Sequence, residues 1–339
     1  MKTRESGIDL IRCLGLLFVV GVHSFLKNGY YYVPQVGAVI WSANCWRWLF
    51  FCCNGIFMML TGYLKTTKPF NRSYYKSLIP ILLSYVLICM ITFPIRHFFL
   101  GEEQTVAEWL GVFIHFGNYA WYLEMYIGLL LISPVINLAL DSLATPRRQL
   151  VICGALALLT AAPSITSYNL APDYWTGLYP ITYYVIGALI KRNQPKFNKA
   201  LCLGVAAGTA MLLGLLSLLT TDKGVSDGFS QGYGGFYITV ITTALFLGLY
   251  RVQIPGAAGR ILAWAAGGCF EGYLLSRLLD VWVYKLFPQW HSPAYYPLLF
   301  ICVTVPIYIF AILSGKAVNT LTRLILLPFR KKTTVKTGS

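Results

Sequence analysis

The chain has 339 residues, 57% hydrophobic and only 12% charged, where soluble domains carry about 25% charged residues. With a mean hydropathy of +0.63 it holds more apolar side chain than a water-soluble core of this length encloses, which excludes a soluble protein and makes lipid its natural solvent. The net charge of +15 does not point to nucleic acid, because Lys and Arg sit in short clusters between apolar runs and not along one face.

A helix of about 20 residues crosses the hydrocarbon core. The first apolar run follows Met1-Lys2-Thr3-Arg4-Glu5-Ser6 and leads into His23 and Lys27, with no small-residue cleavage site, so it reads as a transmembrane helix over 9–27 and not as a signal peptide. Further spans are predicted over 42–64, 76–97, 119–140, 148–166, 175–191, 199–219, 234–251, 260–285 and 295–321. Between the third and fourth, in the stretch 98–118, Trp109, Val112, Phe113 and Phe116 recur at helical spacing and predict an amphipathic helix.

The 27 basic residues orient these spans. The N-terminus has Lys2, Arg4 and Arg12. Alternate loops carry Lys65, Lys68, Arg72 and Lys76, then Arg147 and Arg148, then Lys191, Arg192, Lys196 and Lys199, then Arg251 and Arg260. The tail has Lys316, Arg323, Arg330, Lys331, Lys332 and Lys336. The opposite side has only Lys27, Arg96, Lys223 and Lys285, beside Glu102, Glu103, Glu108, Asp173, Asp222 and Asp227; Arg47 and Arg277 fall within spans. This asymmetry predicts an all-α integral membrane protein, a bundle of about ten transmembrane helices with both termini cytoplasmic. No repeat or soluble domain interrupts it, so 1–329 reads as one transmembrane domain and 330–339 as a basic cytoplasmic tail. The nine cysteines all lie in apolar segments without paired metal spacing and read as small hydrophobes; no metal is expected.

Ionisable groups inside spans are costly and suggest function. On the first helix Asp9, Arg12 and His23 share a face: Arg12 and His23 lie about 300° and 320° around the axis from Asp9, and His23 about 21 Å along it. Asp9 with Arg12 also fits a plain i,i+3 anchor, and His23 fits an interhelical hydrogen bond as well as proton transfer. Arg47, Asn54 and Thr61 follow at intervals of seven on the second helix. Glu124 opens the fourth, where an ion pair with Arg47 is the simpler reading. Arg277 and Asp280 are spaced as an i,i+3 pair on the ninth, and Glu271 there lacks a local partner. Together they predict a polar cavity, which an enzyme or a transporter would equally use.

The order of these features resembles the bacterial membrane O-acyltransferase family, the type 3 acyltransferases. The resemblance rests on Asp9-Leu10-Ile11-Arg12 followed by Val22-His23-Ser24, and on Ile56-Phe57-Met58-Met59-Leu60-Thr61-Gly62-Tyr63, with Thr where the family has Ser. It continues through Tyr74-Tyr75-Lys76-Ser77-Leu78-Ile79-Pro80 and Trp121-Tyr122-Leu123, then Gly128 and Ser133-Pro134. It departs at Tyr273-Leu274-Leu275-Ser276, where many members carry His in place of Ser276. The resemblance implies transfer of an acyl group, often acetyl, from cytoplasmic acyl-CoA to a hydroxyl of an extracytoplasmic or cell-envelope glycan at a bacterial plasma membrane. His23 is then the expected base, with Glu124 and Asp9 supporting it. Arg12, Arg72 and Lys76 are expected at the coenzyme phosphates, and Arg47, Asn54, Thr61 and Trp121 at the oxyanion or sugar. Positive-inside topology alone also explains Arg72 and Lys76, and an interfacial aromatic belt explains Trp121 and Tyr30, Tyr31 and Tyr32. The bilayer, a glycan acceptor and acyl-CoA are the expected partners, and self-association is compatible with them. A transporter or flippase of a polar or lipid-linked solute is the alternative, and a non-catalytic assembly partner a third.

Overall fold

The first apolar run folds as α1, Ser6–Lys27, and runs through the centre of the molecule. The computed structural model describes residues 4–103, 105–143, 145–165, 172–219, 232–283 and 295–334. Lys2, Asp222, Lys223, Asp227, Lys285 and Lys336 lie outside the described residues, as do residues 335–339 and the far ends of the spans expected over 148–166 and 260–285.

Among the described residues all regular structure is helical. After α1 come α2 (Ala38–Phe50), α3 (Cys53–Lys65), the short α4 (Arg72–Lys76), α5 (Ile79–Pro94), α6 (Val106–Ile114) and α7 (Gly117–Ser142). Then follow α8 (Pro146–Thr160), α9 (Tyr179–Asn193), α10 (Lys199–Leu219), α11 (Phe236–Leu249), α12 (Gly256–Ala266), α13 (Cys269–Val283), α14 (Tyr296–Leu299) and α15 (Val305–Thr334). Among the described residues, six helical stretches are long and apolar enough to cross a membrane: Ser6–Lys27, Ala38–Lys65, Arg72–Phe99, Ala120–Ser142, Lys199–Leu219 and Tyr296–Pro328. The other four expected spans are helical but shorter. They correspond to α8 (15 residues), α9 (15 residues), α11 (14 residues), and the pair α12–α13 with a break at Gly267–Gly268. Large apolar side chains cover the outside, among them Val151, Leu201 and Ile301, each more than 60% exposed. In water they would be a liability, whereas in lipid they are solvated.

Three local features differ from the expected pattern. The second span breaks at Phe51–Cys52 into α2 and α3, so Arg47 does not continue the stripe of Asn54 and Thr61. Helix α7 kinks at Ala120 (φ −145°, ψ 75°), one residue before Trp121. The boundary expected at 329/330 falls inside α15, which stays helical to Thr334. The amphipathic stretch does form α6. Thr105 and Glu108 close its N-terminus as a capping box, and those hydrogen bonds hold the Glu108 carboxyl below its usual range. Trp109 packs against Phe93 at 4.9 Å, and the Tyr85 hydroxyl donates to the Val112 carbonyl at 2.8 Å.

Small residues set the helix spacing around α1. Gly62 of α3 lies against the Tyr184 carbonyl of α9, and Gly187 of α9 against the Met59 carbonyl of α3. Gly268, in the break before α13, and Gly272 of α13 meet Gly315 of α15 in the same way. A side chain at any of these positions would collide with backbone, so glycine permits the close approach that drives helix association in lipid. One core cluster joins α1 to α2, α3, α9 and α11, and a second joins α1 to α13 and α15. Helix α13, held between α1 and α15, is thereby fixed against the polar face of α1.

Candidate active site

The two ends of that polar face do different work. At one end Asp9 is buried and held by two arginines. Arg4 Nε donates at 2.5 Å and Arg12 Nη1 at 3.0 Å, and Arg4 also reaches the Ala263 carbonyl at 2.7 Å. The i,i+3 pair expected from sequence is present, widened into a triad that ties the start of α1 to α12. Asp9 has no contact with His23; the helix itself separates them.

At the other end His23 meets a carboxylate from another helix. Its Nδ1 makes a short hydrogen bond to Asp280 Oδ2 of α13, with Asp280 buried and the imidazole 28% exposed. A carboxylate at Nδ1 selects the tautomer protonated there and leaves the lone pair on Nε2. Both the partner and its helix were out of reach of a single-helix projection, which paired Asp280 only with Arg277.

Two cavities adjoin these ends. A cavity of about 310 Å³ is lined by Arg12, Thr61, Lys65, Tyr122, Glu271 and Tyr273, among others. A second, of about 210 Å³, is lined by His23, Lys27, Trp121, Tyr273, Arg277 and Asp280. Tyr273 borders both, and its ring lies 5.5 Å from that of Tyr122. The wall between the cavities is therefore aromatic. The Tyr122 hydroxyl is buried there and makes no hydrogen bond among the described residues.

The remaining expected site residues separate. Thr61 lines the Arg12 cavity, its hydroxyl donating back to the Phe57 carbonyl at 2.8 Å. Trp121 lines the His23 cavity and stacks on Tyr233 at 5.5 Å. Glu124 is exposed and lines neither cavity; the carboxylate on His23 is Asp280, and Tyr31 is one group that Arg47 engages. Arg47 is buried in an aromatic cage, its guanidinium 4.2 Å from Trp48, 4.8 Å from Phe51 and 5.2 Å from Tyr31 ring centres, with Nε donating to the Tyr31 hydroxyl at 3.0 Å. That cage anchors the loop after α1. Asn54 is buried outside both cavities.

Arg72 and Lys76 are exposed on α4 and line neither cavity. Lys65, counted in the sequence only as a loop charge, does: its Nζ donates to Ser77 Oγ at 2.9 Å and lies 5.3 Å from the Tyr74 ring centre. Its position four residues after Thr61, on the same face of α3, was the available signal. Glu271, which has no local partner on its own helix, accepts at Oε1 from Asn319 Nδ2 at 2.8 Å and from Ser84 Oγ at 3.0 Å. Ser276 is buried and bonds the Tyr273 carbonyl at 2.9 Å.

No curated protein and no solved structure matches the chain. The family model for an acyltransferase domain, that of the type 3 acyltransferases, matches residues 5–315. The match spans both cavities and the helices that build them, from α1 into α15, and so the chain belongs to the type 3 acyltransferase family as a membrane-embedded acyl-transferring enzyme.

Proposed function

We propose that the protein moves an acyl group, typically acetyl, from acyl-CoA to a hydroxyl of an extracytoplasmic glycan. In this reading it is a bundle of about ten crossings in a bacterial plasma membrane with both termini in the cytoplasm. The observation that carries the proposal is the pair of cavities meeting at Tyr273, one with a cationic wall and the other with a carboxylate-oriented histidine.

The anionic coenzyme enters on the Arg12 side. Arg12 and Lys65 supply positive charge in the cavity wall, and Arg72 and Lys76, exposed on the helix that precedes Ser77, add attraction at its rim. The thioester reaches the aromatic wall at Tyr122 and Tyr273. From the other side the acceptor hydroxyl meets His23 Nε2, which takes its proton as the oxygen attacks the thioester carbon. Asp280 stabilises the resulting imidazolium, the role that a buried carboxylate plays in triads. The Tyr122 hydroxyl, without a hydrogen-bond partner among the described residues, turns to the developing oxyanion. Collapse of the tetrahedral intermediate breaks the C–S bond, and CoA leaves as the thiolate on the side from which it came. No metal has a role in these steps.

Purified protein in lipid nanodiscs should release CoA from acetyl-CoA in the presence of a glycan acceptor and lose this in His23→Ala. Solute flux across proteoliposomes without acyl-CoA consumption would establish the transporter reading instead.

A further inference from the structure

The Arg12 cavity contains a carboxylate that the transfer steps leave unused. Glu271 of α13 is buried and lines that cavity together with Asn319 of α15. Its Oε1 is held from two other helices, by Asn319 Nδ2 at 2.8 Å and by Ser84 Oγ of α5 at 3.0 Å. The Ser84 hydroxyl in turn lies 3.0 Å from Thr322 Oγ1. Glu271 makes no ion pair among the described residues, and its Oε2 accepts no hydrogen bond from another of them. Asn319 Oδ1 is likewise without a donor among them. The clasp thus fixes one carboxylate oxygen and leaves two acceptor oxygens unmatched. A buried carboxylate held by neutral donors alone costs more desolvation than a neutral side chain would, so packing does not account for it. What it supplies is a fixed acceptor in the cavity wall. It repels phosphates, which belong with Arg12 and Lys65 of the same cavity. The group it suits is a neutral N–H donor, bound through a charge-assisted hydrogen bond.

The place of Glu271 along α13 selects the donor. It stands two residues before Tyr273, about 3 Å along the helix, toward Cys269, whose Sγ lies 3.9 Å from that of Cys13 next to Arg12. Tyr273 borders the wall reached by the thioester. In a coenzyme A thioester the first N–H is two methylene groups from sulfur, in the amide of the cysteamine unit. Resting on acyl-CoA as the acyl donor, we infer that Glu271 accepts a hydrogen bond from this amide, with Ser84 and Asn319 holding the carboxylate in place. The contact sets the thioester carbon at the aromatic wall, within reach of the acceptor. Glu271 is a specificity-determining residue for pantetheine thioesters and takes no part in proton transfer.

The test measures equilibrium binding to the full chain in lipid nanodiscs, without acceptor. Three unreactive probes are compared. The first is S-methyl-CoA, a thioether with no acyl group to transfer. The second is the same molecule with an ester in place of the cysteamine amide, which removes one N–H and keeps the shape. The third has hypoxanthine in place of adenine, which removes the exocyclic amino group. The ester probe should bind about tenfold or more weakly than S-methyl-CoA, the effect of one hydrogen bond to a charged group. The hypoxanthine probe should bind like S-methyl-CoA. In Glu271→Gln, Asn319 still donates to the side-chain oxygen, so the new NH₂ group faces the ligand. That variant should lose the preference for the amide and bind the ester probe at least as well, a reversal that a purely structural role for Glu271 would not produce. Equal affinity of amide and ester probes for the unmodified protein overturns the inference and leaves acyl-CoA as donor untouched. So does a loss confined to the hypoxanthine probe, or an amide preference that survives Glu271→Gln. Absence of binding by all three probes overturns acyl-CoA as donor and this inference with it. The comparison in the unmodified protein decides the matter by itself where Glu271→Gln does not fold.

Discussion

His23 Nδ1 on α1 and Asp280 Oδ2 on α13 form one short hydrogen bond across 257 residues of sequence. If Asp280 fixes the tautomer and carries the imidazolium, His23→Ala should lower kcat/KM by about 10²–10⁴-fold. Asp280→Asn should lower kcat far more than it raises the KM of either substrate. In the His23→Ala background Asp280→Asn should cost almost nothing further, because the two act as a unit. Additive losses in steady-state CoA release would show that Asp280 acts elsewhere.

The sequence made half of this pair legible. Asp9, Arg12 and His23 lie on one helix, where a 3.6-residue period alone fixes their common face. Asp280 was visible as an intramembrane carboxylate, but its partner depends on how α13 docks on α1, and i,i+3 spacing favoured Arg277 instead. Glu124 reads as a supporting carboxylate from its place in the fourth span, but position in a span carries no information about facing. Arg72 and Lys76 stand out in the sequence as part of a basic cytoplasmic face, whereas Lys65, one turn beyond Thr61, lines the cavity. The break at Phe51–Cys52 follows no Gly or Pro signal at those two positions, so a continuous stripe from Arg47 to Thr61 was the natural expectation.

The Tyr122 hydroxyl is buried without a partner among the described residues. Removing an unsatisfied buried polar group relieves its desolvation cost. Tyr122→Phe should therefore leave the melting temperature in detergent unchanged or slightly raised. If the hydroxyl serves the oxyanion, the same substitution should lower kcat by about 10²–10³-fold. A variant with wild-type turnover would remove Tyr122 from the mechanism.

Asp9 joins Arg4, Arg12 and, through Arg4, the Ala263 carbonyl. Asp9→Ala removes the carboxylate from two arginines and should destabilise the fold by about 1.5–3 kcal/mol, the range for hydrogen bonds to charged groups. Arg12→Gln should mainly raise the KM for acyl-CoA, since its side chain faces the cavity while Arg4 still satisfies Asp9. An Arg12→Gln enzyme with unchanged KM would place the coenzyme elsewhere.

The contact of Gly272 with Gly315 holds α13 against α15, and so holds Asp280 in reach of His23. Gly272 also packs toward Leu16 of α1, at 3.2 Å for an added Cβ. Substituting Ala is the smallest test, because it meets the Ala311 carbonyl with one methyl group and forces the two helices apart. Overpacking of this kind costs about 1–3 kcal/mol. Gly187→Ala, which wedges α9 from α3 away from the His23–Asp280 pair, should destabilise comparably. The two variants then separate stability from alignment. In melting experiments both should fall together, but at a temperature where both are folded, Gly272→Ala should lose turnover and Gly187→Ala should retain most of it. Equal activity in the two would mean that the packing of α13 on α15 does not control the position of Asp280.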